Sequence, residues 1–395
     1  MDYFKESLKK HLEMGGKWEI KPKFELETKD DLSIAYTPGV AAVCEQIKEQ
    51  PSTAYQLTMK GNSVAIVSDG SAVLGLGNIG PEAALPVMEG KAILFKKFAN
   101  IDGVPIVINA HSITDIVNIV KAIAPTFGGI NLEDIQAPKC FEIEEALQDI
   151  GIPVFHDDQH GTAIVLLAAL LNASKVINKP LEQMRVVING AGSAGIAIAK
   201  LLKCIGHGTG ICVSVKDILI CDTVGIISKQ RTDLNPHKIK LLDFCNLENK
   251  SGTLKDALVG ADCFIGVSQG NLLNRNDIKT MATNAIVLAM ANPIPEIMPD
   301  EAKAGGAAIV GTGRSDFANQ VNNVLAFPGI FRGALNVKAK RITEAMKIAA
   351  AHALANMITN PTEDNILPNP LDLSVAPIVA QAVANAAIAE NVVHL

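Results

Sequence analysis

Aromatic side chains make up only 4% of the 395 residues, with a single tryptophan and three tyrosines. Small aliphatic side chains must therefore build the core. Seven cysteines contain no CxxC pair, which excludes a cysteine zinc cluster and argues against a disulfide framework. Reduced, buried thiols in a cytoplasmic protein are the simplest expectation. Basic residues are not in excess: the net charge is −6, so non-specific nucleic-acid binding lacks its basic face. The longest apolar run, "AIVLLAALL" after Thr162, is less than half of the ~20 residues that span a bilayer. The opening stretch, "MDYFKESLKKHLEMGGKWEIKPK", has no apolar h-region and carries acids. It reads as neither a secretory signal nor a transit peptide. No internal repeat or low-complexity tract is present.

What is present is alternation. The length suits two or three domains. Strand candidates "SVAIVSD" (63–69), "VPIVINA" (104–110), "GGINLED" (128–134) and "IPVFHDD" (152–158) alternate with amphipathic segments at 82–99, 113–124 and 138–149. A long apolar helix follows at about 161–177, and "NKPLEQM" (178–184) reads as a polar linker. From Arg185 a second series begins with "RVVING", "DILICD", "DCFIGVS", "AIVLAMANP" and "AAIVGTG". This is an α/β pattern with mostly parallel sheets. It predicts an N-terminal α/β domain over 1–160 and a Rossmann-type domain over 161–335. An Ala-rich helical tail over 336–395 then packs back.

Two of the first strands end in acidic pairs, Glu133–Asp134 and Asp157–Asp158. Joined by one amphipathic helix they form a βαβ unit, so both pairs emerge at the carboxyl edge of one parallel sheet. Four carboxylates at one poorly solvated spot cannot all ionise without a cation. An all-oxygen set suits Mg²⁺ or Mn²⁺; one or two of the acids can instead cap a helix. His156 and His160 flank the second pair in a strand-to-turn setting, where hydrogen bonding competes with zinc ligation. Lys91 lies on the apolar face of its helix, with Ala84, Val87, Met88, Leu94 and Phe95 at helical spacing. Desolvation there lowers a lysine pKa and makes a base; a snorkelling stem is the alternative. Tyr36, before Thr-Pro-Gly, reads on bulk statistics as a half-buried core tyrosine.

"RVVINGAGSAGIAIAKLLK" places Gly190, Gly192, Ser193, Ala194 and Gly195 between an apolar strand and an apolar helix. In that context G-x-G-x-x-G reads as a phosphate-binding turn, with a structural glycine-rich turn as the alternative. Asp222 ends the next strand, where a carboxylate binds NAD ribose hydroxyls; a solvated strand-end acid is the alternative. The interval is lengthened by "GHGTGICVSVK", which reads as an insertion. No arginine follows Asp222 directly, which favours NAD, while Lys229 and Arg231 keep NADP open.

The stretches "AYTPGVA", "SDGSAVLGLGNIGPEAALPVMEGKAILFK", "INLEDIQAPKCFEIE", "PVFHDDQHGTA", "GAGSAGIAIAKLL", "AMANPIPEI" and "GTGRSDFANQVNNVLAFPGIFRGAL" resemble malic enzymes of the short bacterial type over nearly the whole chain. The resemblance implies oxidative decarboxylation of L-malate to pyruvate and CO₂ with reduction of NAD or NADP, by a homodimer. It implies Tyr36 as general acid and Lys91 as general base. It also implies Glu133, Asp134 and Asp158 as Mn²⁺ or Mg²⁺ ligands with Asp157 in support. Asn292 and Asn323 would bind the substrate carboxylate or the nicotinamide side. Ala72 stands where longer eukaryotic members carry a substrate-gripping arginine, which leaves Arg314 as a candidate; Thr223 stands where many relatives have a basic residue. Malolactic turnover, giving lactate with NAD and Mn²⁺ retained, is the nearest alternative. A non-catalytic NAD-dependent sensor is an alternative of another class.

Overall fold

The computed structural model describes residues 2–73, 75–206 and 212–394. Residues 207–211 of the expected insertion lie outside this set. The chain opens with helices α1 (Tyr3–Met14), α2 (Lys29–Ala35), α3 (Val40–Glu49) and α4 (Ala54–Leu57). A first sheet follows, with β1 (Ser63–Ser68), β2 (Asp102–Val107), β3 (Gly129–Leu132) and β4 (Val154–His156). Its order is β2-β1-β3-β4 and every pairing is parallel. Helices α5 (Pro81–Ala99), α6 (Ile113–Ile123) and α7 (Lys139–Leu147) make the crossovers. All six residues of β1 are buried, which is why its sequence is apolar without alternation.

Helix α8 (Asp157–Val176) starts directly at the end of β4. The second sheet comprises β5 (Arg185–Asn189), β6 (Asp217–Asp222), β7 (Gly225–Ile226), β8 (Cys263–Gly266), β9 (Ile286–Ala289) and β10 (Ile309–Thr312). Its order is β10-β9-β8-β5-β6-β7; β7 alone runs antiparallel. Helices α9 (Ser193–Leu202), α10 (Pro236–Leu241), α11 (Leu254–Leu258), α12 (Arg275–Ile278) and α13 (Pro299–Ala304) cover it. The tail carries α14 (Phe327–Asn336), α15 (Glu344–Asn356) and α16 (Val375–Ala389).

One core joins the two sheets. It contains Val64 and Ile66 of β1, most of α8, Val186 and Ile188 of β5, and the apolar faces of α14 to α16. The few aromatics are concentrated here: Phe95 meets Phe327 and Phe331 edge-on at 4.8 and 5.4 Å, a preferred aromatic geometry. The tail does pack back: Asn172 Nδ2 on α8 donates to the carbonyls of Ala355 and Ile366. The outer faces of the sheets hold separate clusters.

The N-terminal segment behaves differently. Among described residues 2–62 none is buried. Tyr3, Phe4, Leu8, Leu12, Ile20 and Phe24 all face solvent. Large apolar side chains exposed together along one segment are the pattern of an interaction surface.

The thiol expectation needs correction. Cys140, Cys221, Cys245 and Cys263 are free and buried, but Cys44 is exposed and Cys204 is bridged to Cys212. The two lie eight residues apart, without the CxxC spacing that would mark a pair in the sequence. No helix among the described residues is long and apolar enough to cross a membrane.

Helices α14 and α16 cross so closely that a Cβ on Gly333 would lie 2.4 Å from the Ala380 carbonyl. Gly333→Val should therefore destabilise the chain by about 1–3 kcal/mol. A lower urea midpoint with an unchanged m-value would show it.

Candidate active site

The first sheet delivers its acids as the topology requires. Glu133 and Asp134 follow β3, and Asp157 and Asp158 form the first turn of α8 beside β4. The expected turn after His156 is already helix, and no side chain caps it. Asp158 accepts the Asp134 backbone N–H at 2.8 Å instead. Asp134 has φ 54°, a left-handed conformation uncommon outside glycine. A loop from β1 holds it there. Asp134 O accepts the Ala72 N–H at 2.9 Å, Ser71 Oγ accepts the Gln136 N–H at 2.9 Å, and buried Asp69 pairs with Lys139. Asp69 and Lys139 went unnoticed in the sequence, since no periodicity links residues 70 positions apart.

Lys91 reaches into this cluster from α5. Its side chain is only 7% exposed, which rules out snorkelling. Nζ lies 2.9 Å from Glu133 Oε1, pairs with Asp157, and sits 4.1 Å above the Phe327 ring. The expected downward pKa shift is not found. Burial does push Lys91 down, but Asp157 and Glu133 outweigh it and the net shift is upward. In this state Lys91 is an ammonium.

The carboxylates bear the opposite strain. Burial pushes Asp134 up to about 9, with Asp158 and Glu133 adding repulsion. Burial likewise moves Asp157 to about 7 and Asp158 to about 6 against the pull of Lys91. One oxygen from each of Glu133, Asp134 and Asp158 lies within 4.8 Å of the others. Asp134 Oδ2 is buried with no hydrogen-bond partner. A closed set of hard, mutually repelling oxygens with an unsatisfied acceptor fits a divalent cation. Asp157 stands apart from that trio: it is tied to Lys91 and to Asn323 Nδ2. Gly161 makes the room, for a Cβ there would overlap Asp157 Oδ1.

The histidines are not ligands here. His156 is fully buried and burial pushes it down to about 4, so its ring is neutral. His160 Nε2 lies 2.9 Å from Glu144 and Nδ1 lies 3.1 Å from Lys347 Nζ. Glu144 also accepts the His156 backbone N–H at 3.1 Å.

The second sheet contributes the glycine turn. Gly190 is at φ 122°, where a Cβ would lie 2.6 Å from the Val267 carbonyl oxygen, and a Cβ on Gly195 would strike Gly190 O. A Cβ on Gly192 would meet nothing within 4 Å. The first and third glycines are thus required by packing, and the second borders open space at the start of α9, beside Ser193 and Ala194. This is a cradle for an anion on helix N–H groups. It lies between β6 and β8 on either side of β5, the topological switch point. Asn292 follows β9 and faces the β1 loop: a Cβ on Gly75 would lie 3.4 Å from Asn292 O.

Asp222 ends β6 as expected, but it is occupied. Arg231 binds both its oxygens at 2.7 and 3.0 Å, and Lys238 binds Oδ2 at 2.6 Å. Burial opposes ionisation, yet these cations hold Asp222 well below the ordinary carboxylate range. Arg314 is spent on Asp316 and the Pro293 carbonyl. Tyr36 is 68% exposed at the end of α2, not half-buried, and has no side-chain bond to the Lys91 cluster. The structure thus gathers Lys91, Glu133, Asp134, Asp157, Asp158 and Asn323, and leaves Tyr36 outside.

A dinucleotide fold facing a carboxylate–lysine cluster defines a nucleotide-dependent oxidoreductase. The profile "Malic enzyme, NAD binding domain" matches residues 159–388 and "Malic enzyme, N-terminal domain" matches 15–116 and 110–148. The chain belongs to the malic enzyme family. It is 54% identical to a bifunctional malic/malolactic enzyme of Bacillus subtilis (strain 168), over 100% of this chain and 95% of that one. It is 52% identical to an NAD-dependent malic enzyme of Geobacillus stearothermophilus, over 95% and 77%. The crystal structure of malic enzyme from Pyrococcus horikoshii Ot3 superposes with TM-score 0.92 at 47% identity, covering 98% of this chain and 92% of that one.

Mn²⁺ should raise the melting temperature of the cofactor-free protein. At 100 times its Kd the gain is about 2.7 kcal/mol. Asp158→Asn should abolish the Mn²⁺-dependent shift without unfolding the chain, read by differential scanning fluorimetry.

Proposed function

We propose that the chain oxidatively decarboxylates L-malate to pyruvate and CO₂ while reducing NAD or NADP, with a divalent ion held by Glu133, Asp134 and Asp158. The observation that carries this is the buried Lys91 ammonium set among those acids. When bound, the ion supplies Lewis acidity toward the hydroxy acid's oxygens and offsets the carboxylate charge that keeps Lys91 protonated, while nicotinamide accepts the hydride. With that charge offset, Lys91 would release its own proton to solvent and, as the neutral amine, take the C2 hydroxyl proton. Tyr36, outside the cluster within one chain, would be supplied by the partner protomer and give a proton to C3 after CO₂ leaves. One proton is taken and one returned, so the balance is malate and oxidised cofactor to pyruvate, CO₂ and reduced cofactor. Asp157 and Asn323 hold the Lys91 ammonium in place, and Asn323 and Asn292 orient substrate and nicotinamide.

The exposed Tyr36 and the uncovered apolar segment 2–62 support a homodimer in which the N-terminal segment of one protomer packs on its partner. In the division of labour we propose, residues 1–160 carry catalysis, metal and dimer contacts. Residues 161–335 carry the cofactor, and residues 336–395 brace both. Asp222 supports a ribose contact only if its cations release it. The same Arg231 and Lys238 offer charge to a 2′-phosphate, so both dinucleotides should be turned over. A cytoplasmic setting goes with the four buried free thiols. The Bacillus subtilis relative's bifunctional name supports malolactic turnover as a second reading.

The check is L-malate with Mn²⁺ and either dinucleotide, assaying reduced cofactor, pyruvate and lactate together. Pyruvate should match reduced cofactor mole for mole; lactate without net reduction would select the malolactic reading. Lys91→Ala and Tyr36→Phe should each lower kcat by roughly 10²–10⁴. Arg231→Gln should penalise NADP more than NAD. No turnover with either dinucleotide, from a folded chain that binds Mn²⁺, would sink the assignment.

A further inference from the structure

A cavity of about 490 Å³ opens where the two sheet units meet and contains none of the residues assigned above to catalysis or cofactor. Its walls come from α7, the first turns of α8, α9, α10 and the start of α15. That volume lies in the range of small-molecule sites, and junctions between units are where such sites occur.

The chemistry of the walls is mixed in a specific way. One side is aromatic: Phe141 meets His237 across the junction, with ring centroids 4.8 Å apart and planes tilted by 42°. The inner end is polar and buried. Lys347 is buried, as is Gln159, whose Nε2 has no hydrogen-bond partner. Both are donors. Lys347 is already paired with Glu344 at 2.6 Å and meets the His160 ring, and Glu144 takes His160 and the His156 N–H, which leaves the Gln159 amide as the donor without an acceptor. At the mouth, Lys200 and Lys240 have no acidic partner among the described residues. A buried donor without an acceptor is costly. An incoming acceptor with negative charge answers both ends of the cavity.

The inner end also touches the active site. Lys347 contacts His160, His160 contacts Glu144, and Glu144 holds the His156 N–H. Asp157 and Asp158 are the next two residues. A ligand that pulls on Lys347 or His160 therefore acts on the helix turn that presents the two acids.

We propose that this cavity is a second ligand site, for a small organic anion with a flat apolar body, and that its occupancy is transmitted to Asp157 and Asp158 through Lys347, His160 and Glu144. The transmission rests on the reaction proposed above; the binding does not.

The test uses two probes that differ in the head group, 1-naphthyl phosphate and 1-naphthoate, titrated calorimetrically into the full chain with and without saturating NADP. We expect saturable binding of at least one probe, at one equivalent per chain, undiminished by NADP. Binding of both identifies the general anion chemistry; binding of one identifies phosphate or carboxylate. The surface variant K200Q/K240Q should keep basal turnover and weaken the probe roughly tenfold, which is 1.4 kcal/mol. Lys347→Met should weaken it further. Probe binding should also change the Mn²⁺ affinity, measured in the same calorimeter without turnover, and the KM for malate. No saturable binding, displacement by NADP, or equal binding to wild type and both variants would overturn the site. Binding that moves neither the Mn²⁺ affinity nor the malate KM would overturn the transmission.

Discussion

Charge balance around Lys91 is the constraint on which the rest of the active site depends. One ammonium faces Glu133 and Asp157 directly and Asp158 at longer range, with Asp134 beyond it. In a poorly solvated pocket that is more negative charge than one lysine can compensate. The upward shifts of the acids and the upward shift of the lysine are two sides of the same imbalance. A cation resolves both at once: it lets the acids ionise and frees the lysine to exchange its proton. In the reaction proposed above, Lys91 would stay an ammonium until that site is filled.

Everything around the cluster serves to keep it assembled. The parallel pairing of β3 with β4 sets the acids side by side. The β1 loop pins Asp134 in a left-handed turn through Ala72, Ser71 and the Asp69–Lys139 pair. Behind α8, Glu144 fixes the backbone at His156. Removing one member of a buried ionic network leaves its partner uncompensated and typically costs 3–5 kcal/mol. The function of these pairs is geometric: buried ion pairs add little net stability, but they do specify one arrangement.

Much of this was legible in the sequence, for identifiable reasons. Strand period, acidic pairs at strand ends and a glycine turn between strand and helix are local signals, and β3, β4 and the 190–195 turn fall where those signals put them. Lys91 was placed on the right face, but its protonation state depends on Asp157, 66 residues away. The periodicity argument counts burial and cannot count charge. The same limit applies to Asp222, whose Arg231 and Lys238 partners lie across a turn, and to His160, whose partner Lys347 is 187 residues distant. Tyr36 was misjudged because average burial of tyrosine assumes a segment with its own core, and residues 2–62 have none within one chain.

Helix α8 has a mechanical consequence of its own. It begins at the acids and runs 20 residues into the shared core beneath the cofactor fold, a rod of about 30 Å. Its catalytic end is pinned by hydrogen bonds, while its other end is bedded only in aliphatic packing and Asn172. The acids and the core beneath the cofactor fold therefore share one continuous helix, with no loop between them.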